Sequence, residues 1–279
     1  MMVTTAMAQT LSPRVGAPLI LGASGRLGRA LRRVWPVDMP GFVGADPLWQ
    51  TRDGAGGTLA WDILIDSAPA LPPVCGIIVL AGVTCGTAAD LALNTPLASA
   101  GADLGSALGV PVLIASTQAV YGPQPGMLRE DSSLAPTSAY GRAKQEMEAA
   151  TAAPHVTCLR IGNVAGCDAL ADAMGRGAVT LDRFANGQGP RRAMIGPVDL
   201  AQVLLALLAA PTRPAVLNVA RPGSVAMADV LRAAEVPFDW RPAGPGALAD
   251  LVLDVTLLQR IFQLPPADAV AMAAQGANA

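Results

Sequence analysis

Two residues four positions apart, Tyr140 and Lys144, form the pair with the clearest chemical use in this sequence. In a helix, residues at i and i+4 project from the same face, so a phenol and an ammonium would lie side by side. The chain has 19 basic residues, but Lys144 is its single lysine. Arginine does not reproduce a compact ammonium that binds hydroxyl groups and lowers the pKa of a nearby phenol. The pair is predicted to perform acid–base catalysis.

A glycine-rich turn follows the first apolar run, residues 18–22, and precedes a helical pattern over residues 29–35. In such a turn, the missing side chains let the backbone approach a phosphate at the positive end of the helix. The spacing therefore predicts a dinucleotide site. The turn residues assigned to this site are Gly22, Gly25, Arg26, Leu27 and Gly28.

A second strand is predicted at residues 41–45, and it would end at Asp46. An aspartate at that place accepts hydrogen bonds from ribose hydroxyls and repels a 2′-phosphate. NAD is therefore predicted as the cofactor, in preference to NADP. The alternative is that Asp46 is a solvated turn residue before Pro47.

The elements that position these residues alternate along the chain. Further strands are predicted at residues 58–61, 76–81, 110–115, 156–161 and 215–220, and helices at 88–108, 138–152, 198–210, 227–234 and 255–262. Continuous apolar strands are typical of a parallel sheet that is covered on both faces. The pattern predicts an α/β fold with a doubly wound parallel sheet of the Rossmann type.

The domain organisation follows from where this alternation loosens. Residues 15–166 are predicted to form the nucleotide-binding domain, with residues 198–220 returning to it. Residues 167–197 and 221–279 are predicted to form a small, partly discontinuous substrate lobe. We expect residues 1–14 to be a flexible tail and the alanine-rich last dozen residues to be frayed.

Composition excludes several classes of protein. Apolar residues make up 52% and charged residues 14%, which excludes overall disorder. A net charge of −2, without a basic cluster larger than a pair, argues against nucleic-acid binding. A single histidine, His155, and four cysteines without a C-x-x-C pair argue against a metal site and a Ser-His-Asp hydrolase.

A membrane or secreted location is also not expected. The charge-free stretches at residues 67–89 and 104–128 contain prolines and are too broken for a membrane span. The segment before Pro13 has no basic region followed by a continuous apolar one, so it does not resemble a secretory signal. The sequence predicts a cytoplasmic protein that binds small molecules.

Four motifs, GASGRLG, ASTQAVYG, YGRAK and LRIGNVAG, occur in an order that resembles the extended short-chain dehydrogenase/reductase family, specifically its NAD-dependent epimerase/dehydratase group. The resemblance implies that Tyr140 is the acid/base, that Lys144 holds the nicotinamide ribose and that Thr117 hydrogen-bonds the reacting oxygen. The further cofactor-binding positions that the resemblance implies are Asp62, Leu80, Ala81, Gly82, Asn94 and Ser116.

The resemblance extends over residues 17–265 and includes substrate positions. Residues 187–201 (GQGPRRAMIGPVDLA) resemble a family motif whose arginine, here Arg192, binds a sugar-nucleotide diphosphate. Asn163, in LRIGNVAG, is likewise implied to bind substrate. Family members commonly pair through the helices predicted at residues 88–108 and around Tyr140, which implies a homodimer.

The sequence also departs from the family. Gln118 and Ala119 stand where the dehydratases have Asp-Glu, and neither side chain exchanges protons, so dehydration is not expected. The stretch between Gly166 and Gly187 is shorter than in typical nucleotide-sugar enzymes, which leaves a smaller carbonyl substrate open.

Three functions remain open at this point. The first is an NAD(P)-dependent oxidoreductase or epimerase that transfers a hydride reversibly at a secondary alcohol or ketone of a nucleotide sugar or related carbonyl compound. The second is a net ketone reductase resembling dTDP-4-dehydrorhamnose reductase. The third is a sensor or scaffold that binds NAD(P) without catalysis.

Overall fold

The strands of the protein are short and mostly buried in this computed structural model, which describes residues 16–35, 46–177 and 179–279. In chain order they are β1 (Ala17–Leu21), β2 (Leu48–Thr51), β3 (Leu59–Ala60), β4 (Val74–Val79), β5 (Val112–Thr117), β6 (Met127–Leu128), β7 (Val156–Ile161), β8 (Asn163–Val164), β9 (Thr180–Arg183), β10 (Arg191–Arg192), β11 (Met194–Ile195), β12 (Val216–Val219), β13 (Val225–Ala226), β14 (Asp239–Pro242) and β15 (Asp250–Leu253).

The helices cover both faces of the main sheet, and a helix is also the last element of the chain. They are α1 (Arg26–Val34), α2 (Ala88–Ala92), α3 (Asn94–Leu108), α4 (Ala139–Ala150), α5 (Ala169–Gly175), α6 (Pro197–Ala209), α7 (Met227–Ala233), α8 (Thr256–Ile261) and α9 (Ala269–Gly276). The single helix predicted at residues 88–108 is thus two helices, and the other predicted helices agree with the structure to within three residues at each end.

Seven strands form one parallel sheet in the order β12-β7-β5-β4-β1-β2-β3. The chain builds outwards from β1 through β2 to β3, then crosses back to β4 and continues in the other direction through β5 and β7. This reversal confirms the prediction of a doubly wound α/β fold. A crevice for a ligand forms at the carboxyl ends of the strands on either side of such a reversal, here β1 and β4.

The sheet is covered on both faces, as its apolar strands require. In β1, Leu19 and Leu21 point into one apolar cluster together with Met147 of α4, whereas Ile20 points into the opposite cluster with Leu204 of α6. The side chains of these two leucines of β1, of Ile20 and of Leu204 are almost completely buried. Alternation along the strand thus anchors helices on both faces.

The later half of the chain adds small sheets beside the main one. A four-stranded sheet has the order β13-β10-β15-β6, and β11 with β8 and β14 with β9 form two further pairs. A third apolar cluster, including Leu231 and Met272, lies under these elements. Strands of two to four residues have too few positions to show a period, so the sequence did not predict them. The proposed boundaries of the substrate lobe stay a prediction.

The expectation of a frayed carboxyl-terminal end is wrong. Residues 269–276 form α9, in which Met272 is completely buried. The Gln275 side chain accepts a hydrogen bond from Val198 N at 3.0 Å and donates one to Asp199 at 2.9 Å. The end of α9 also packs closely on the chain after β8, since a Cβ atom on Gly166 would lie 2.5 Å from Gly276 O. The predicted tail, residues 1–14, lies outside the described residues.

Candidate active site

The glycine turn has the shape that a bound phosphate requires. Gly22 has a φ of 91°, and a Cβ atom there would lie 2.5 Å from Ala81 N. A Cβ atom on Gly28 would lie 2.6 Å from Gly22 O, so this glycine lets α1 pack closely on β1. By contrast, a Cβ atom on Gly25 would meet only Gly22 O, at 3.4 Å. Gly25 begins α1 without a side-chain cap, which leaves backbone N–H groups available to an anion.

A cleft of about 300 Å³ runs from this turn across the carboxyl ends of β1, β2 and β4. Its lining includes six positions that the sequence assigned to a cofactor, namely Gly22, Gly25, Asp62, Leu80, Ala81 and Gly82. It also includes residues that were not predicted, among them Gln50, Thr51, Arg52 and Ile63. Gln50 accepts a hydrogen bond from Gly22 N at 2.9 Å and so supports the turn.

The side chains of Arg26 and Leu27 are directed away from this cleft. Arg26 donates to the carbonyl of Cys167 at 3.2 Å and forms an ion pair with Asp172 at 2.9 Å, which links the turn to α5. Leu27 packs against the apolar cluster that contains Ile20 and Leu204. Any contact that these two residues make with a cofactor therefore involves their backbone.

The predicted position of Asp46 is wrong. Residues 41–45 lie outside the described part of the chain, but Asp46 is described, and it lies two residues before β2. It is exposed at the amino end of β2, whereas the cleft lies at the carboxyl ends of the strands. The residue that follows β2 and lines the cleft is Arg52. The apolar run at 41–45 drew the prediction away from the polar-looking strand LWQT.

We expect Asp46→Ala to leave the ratio of the NADH and NADPH dissociation constants unchanged, because Asp46 lies at the wrong end of β2. Arg52→Ala is expected to weaken NADPH binding by about tenfold while sparing NADH, since a guanidinium in this place pairs with a 2′-phosphate. Fluorescence titration of the three proteins with both cofactors measures these constants. A changed ratio in Asp46→Ala would contradict the placement of this residue.

Thr117, Tyr140 and Lys144 are brought together by the end of β5 and the first turns of α4. Ser138 caps α4 by accepting a hydrogen bond from Gly141 N at 3.0 Å, which starts the helix just before Tyr140. The Thr117 and Tyr140 side chains are hydrogen-bonded. Lys144 Nζ donates to the carbonyl of Ala115 in β5 at 2.9 Å.

The ammonium of Lys144 also reaches the cleft. A Cβ atom on Gly82, which lines the cleft after β4, would lie 3.2 Å from Lys144 Nζ. Lys144 is 5% exposed, and this burial lowers its pKa to about 8. Because this pKa lies near neutral pH, the protonation state of Lys144 is sensitive to any charged group that binds beside it.

Burial has the opposite effect on Tyr140. It raises the pKa of the phenol to about 12, and the hydrogen bond with Thr117 offsets part of this rise. The phenol pKa is thus not lowered by the protein alone, although we expected the neighbouring ammonium to lower it. Formation of the phenolate near neutral pH requires further positive charge beside the ring.

Asn94 and Ser116 support the site from behind. Asn94 is completely buried; its side chain donates to Val83 O at 2.9 Å and accepts from Val83 N at 3.2 Å, which holds the turn after Gly82. The Ser116 hydroxyl donates to the Glu148 carboxylate. Both side chains are therefore occupied within the protein, and we expect neither to contact a cofactor directly.

A buried ion pair that the sequence did not predict lies beneath these residues. Glu148 accepts a hydrogen bond from Arg160 at 2.8 Å, and the two side chains are 7% and 5% exposed. The pair joins α4 to β7, one helical turn after Lys144. Leaving either charge alone in such a place costs about 3–5 kcal/mol. Its only sequence signal is the position of Glu148 four residues after Lys144, which equally suits a solvated helix face.

The predicted substrate residues lie in two places. Asn163, in β8, accepts a hydrogen bond from Gln118 at 2.5 Å and donates one to Asp168 at 2.8 Å, so it lies beside Thr117. Arg192, in β10, donates to the carbonyl of Leu248 at 2.9 Å. It is partly buried, and this burial lowers its pKa from the usual value.

Two kinds of site are not found among the described residues. No three His, Cys, Asp or Glu side chains in residues 16–35, 46–177 and 179–279 are grouped to hold a metal ion. Within the same part of the chain, every helix is too short or too polar to cross a bilayer.

Comparison with known families gives one match, which covers part of the chain. Residues 87–220 match the model of the NAD dependent epimerase/dehydratase family. A comparison with curated proteins found no match.

Among solved structures, the chain is similar to TunA, an NAD-dependent NDP-hexosamine 5,6-dehydratase involved in tunicamycin biosynthesis, with 22% identity, a TM-score of 0.68 and coverage of 95% of this chain and 97% of that chain. It is also similar to UDP-glucuronic acid 4-epimerase from Bacillus cereus in complex with NAD, with 16% identity, a TM-score of 0.71 and coverage of 94% and 98%.

A third similar structure is UDP-glucose-4-epimerase from Stenotrophomonas maltophila with bound NAD and formylated UDP-arabinopyranose, with 19% identity, a TM-score of 0.70 and coverage of 93% and 96%. At such identities these likenesses show a shared fold over nearly the whole length. The chain is thus similar to the NAD dependent epimerase/dehydratase family over residues 87–220 and shares the fold of these structures over nearly its whole length.

Proposed function

We propose that this protein transfers a hydride reversibly between NAD and a secondary alcohol or ketone of a nucleotide sugar or a related carbonyl compound. The observation that carries the proposal is the joint placement of Thr117, Tyr140 and Lys144 beside the cleft that starts at the glycine turn. A sensor or scaffold would not need a hydrogen-bonded phenol and hydroxyl at this place.

The described residues fit a dinucleotide. The uncapped start of α1 and the open face of Gly25 suit a pyrophosphate, and the cleft beside Asp62 and Ile63 suits an adenosine. When bound, NAD supplies the hydride acceptor and donor of the reaction. The argument from Asp46 for NAD in preference to NADP does not hold. The preference is supported instead by the matching family model, which is of an NAD-dependent family, and by similar structures that contain NAD.

Three side chains of the protein transfer the proton, orient the substrate and hold the ribose. As the alcohol is oxidised, its hydroxyl proton goes to the oxygen of Tyr140, and in reduction the same oxygen returns it. Thr117, hydrogen-bonded to Tyr140, orients the substrate oxygen. Lys144 holds ribose hydroxyls, and in its protonated form it favours the phenolate of Tyr140. Gln118 and Ala119 offer no proton-exchanging group for an elimination, so we do not propose dehydration.

The course of the reaction separates the proposal from its alternatives. The protein is incubated with UDP-, dTDP- and GDP-sugars and a catalytic amount of NAD, and products are followed by NMR. Conversion to an epimer without net NADH supports an epimerase, whereas consumption of cofactor in equal amount to product identifies a net reductase or dehydrogenase. Binding of NADH without any conversion of these sugars or of simple ketones would contradict the proposal.

The diphosphate of the substrate is assigned to Arg192. Its Nη1 donates to the carbonyls of Arg191 and Leu248, at 2.7 and 2.9 Å, which fixes the guanidinium. Its Nε and Nη2 have no hydrogen bond to the part of the chain that the structure describes. A guanidinium so placed can donate to phosphate oxygens with its remaining N–H groups.

Arg192→Ala is expected to weaken binding of a nucleotide sugar by more than about tenfold and to leave NADH binding unchanged, because each charge-assisted hydrogen bond contributes about 1.5–3 kcal/mol. Arg232→Ala is the matched control, since Arg232 is exposed on α7 and pairs with Asp229. Thermal shift with UDP-, dTDP- and GDP-sugars compares the three proteins. Equal shifts in all of them would show that Arg192 does not bind the diphosphate and would favour a smaller carbonyl substrate.

Two further features are proposed on the same basis. A homodimer is proposed through α3 and α4, which pack against each other and leave Leu108 exposed at the end of α3. A cytoplasmic location is proposed from the four cysteines, which form no C-x-x-C pair and suit a reducing compartment. Sedimentation equilibrium tests the first, and localisation of the tagged protein tests the second.

A further inference from the structure

One buried oxygen beside the proposed reaction centre, Oε1 of Gln118, has no hydrogen-bond partner among the residues that the structure describes. Gln118 is 9% exposed, follows Thr117 directly and begins the 3-10 turn Gln118–Val120. An unpaired buried acceptor lowers the stability of the folded protein. Such a group calls for an explanation, and completion by a ligand is one.

Three side chains determine which end of the Gln118 amide is unpaired. Asp168 caps α5 by accepting from Ala171 N at 3.1 Å, and its other oxygen accepts from the Asn163 amide nitrogen at 2.8 Å. Because an ionised carboxylate only accepts, it fixes the nitrogen of Asn163 towards itself. Asn163 therefore turns its oxygen to Gln118, which donates through Nε2 at 2.5 Å. Oε1 is left as the free end, and it is an acceptor.

The free oxygen belongs to the same edge of the sheet as the catalytic groups. Thr117 and Ile161 are partners in neighbouring strands β5 and β7, so Gln118 and Asn163 both follow paired strand ends. Thr117 in turn is hydrogen-bonded to Tyr140. The hydrogen-bonded series from Gln118 through Asn163 to Asp168 thus starts one residue after Thr117, the residue proposed to orient the reacting oxygen.

We infer that Gln118 Oε1 accepts a hydrogen bond from a hydroxyl or amide N–H group of the substrate, adjacent to the carbon that reacts at Tyr140. This inference rests on the proposed function and adds a specificity-determining residue to it. An amide does not exchange protons near neutral pH, so Gln118 recognises the substrate and takes no part in proton transfer. A substrate that lacks this donor leaves the buried acceptor unpaired and is therefore discriminated against.

The test compares UDP-glucose with its 2-, 3- and 6-deoxy analogues in the wild-type protein and in Gln118→Met. Methionine has a similar length but forms no strong hydrogen bond. In the wild type, one analogue is expected to have a kcat/KM about tenfold to a hundredfold lower than the parent sugar, mainly through KM. In Gln118→Met the parent and that analogue are expected to have equal, low values, while the pH profile of kcat and the affinity for NADH stay unchanged.

Gln145→Met is the matched control, because this glutamine of α4 has no side-chain hydrogen bond to the described residues. It is expected to keep the wild-type preference. If Gln118→Met lowers the melting temperature but keeps the wild-type ratios between the analogues, the role of Gln118 is structural and the inference is wrong, while the proposed function stands.

A second measurement decides the inference even if no nucleotide sugar reacts, in which case the proposed function fails separately. It is a crystal structure of the NAD-bound protein at a resolution that shows solvent. A protein N–H or O–H group within hydrogen-bond distance of Gln118 Oε1 would overturn the inference. A donor from solvent or from a ligand at that atom supports it.

Discussion

Tyr140→Phe is expected to lower turnover by about 10²–10⁴, the usual share of general acid–base catalysis, because the variant cannot exchange the hydroxyl proton of the substrate. Its affinity for NADH should change little, since the phenol oxygen is directed to Thr117 and not to the glycine turn. The fold should also persist, because the ring remains and only one hydrogen bond is lost. Steady-state kinetics and NADH fluorescence titration measure the two effects separately.

Glu146→Gln is the matched control for this variant, because Glu146 is an exposed residue of the same helix. It should keep both turnover and NADH affinity. Wild-type turnover in Tyr140→Phe would show that the proton passes through another group. If turnover and NADH affinity fall together, the ring holds the cofactor and does not act as the acid/base.

Lys144→Met is expected to affect function and stability in opposite directions. Loss of the ammonium removes hydrogen bonds from a charged group to the cofactor, so NADH affinity should fall about tenfold to a hundredfold, with a further loss of turnover. At pH 7, however, the variant should be more stable than the wild type. The upper limit of this gain is about 3 kcal/mol, since the pKa of Lys144 falls from 10.5 to about 8 on burial.

The sign of the stability change follows from proton binding. Between pH 8 and 10.5 the unfolded chain keeps a proton on Lys144 that the folded protein has released, so wild-type stability rises with pH in this window. Below pH 8 the folded protein carries the full cost of a buried ammonium. The gain in free energy of unfolding of Lys144→Met over the wild type should therefore be largest below pH 8 and disappear towards pH 10.5. At every pH the gain is reduced by the loss of the hydrogen bond from Lys144 to Ala115 O.

Urea unfolding at pH 7 and pH 10 measures this dependence, and Lys144→Arg is the companion variant. Arginine keeps the charge but is larger, and Gly82 leaves little room beside Nζ. We expect Lys144→Arg to weaken NADH binding and to raise the pH optimum. A Lys144→Met protein that binds NADH normally and is less stable at both pH values would contradict the assigned role and the burial cost.

The residues that we propose as catalytic could be singled out from the sequence because local rules place them together. Tyr140 and Lys144 are a turn apart in one helix, and the glycine turn lies between a strand and a helix, so spacing alone indicates their chemistry. The β1, β4 and β7 strands were predictable for the same reason, since each is a continuous apolar run. Asp46 was misplaced because strand β2, with the sequence LWQT, is less apolar than the run before it.

The sequence by itself determined the alternation of strands and helices, the resemblance to a known family and the residues able to exchange a proton, since these depend on residue type and on separations of a few positions. The tertiary structure decided what depends on distant neighbours. It placed Arg52 and not Asp46 at the cleft, buried Glu148 against Arg160, and left one oxygen of Gln118 unpaired. Burial also set the direction of both catalytic pKa shifts, because the desolvation of a charge depends on every element packed around it.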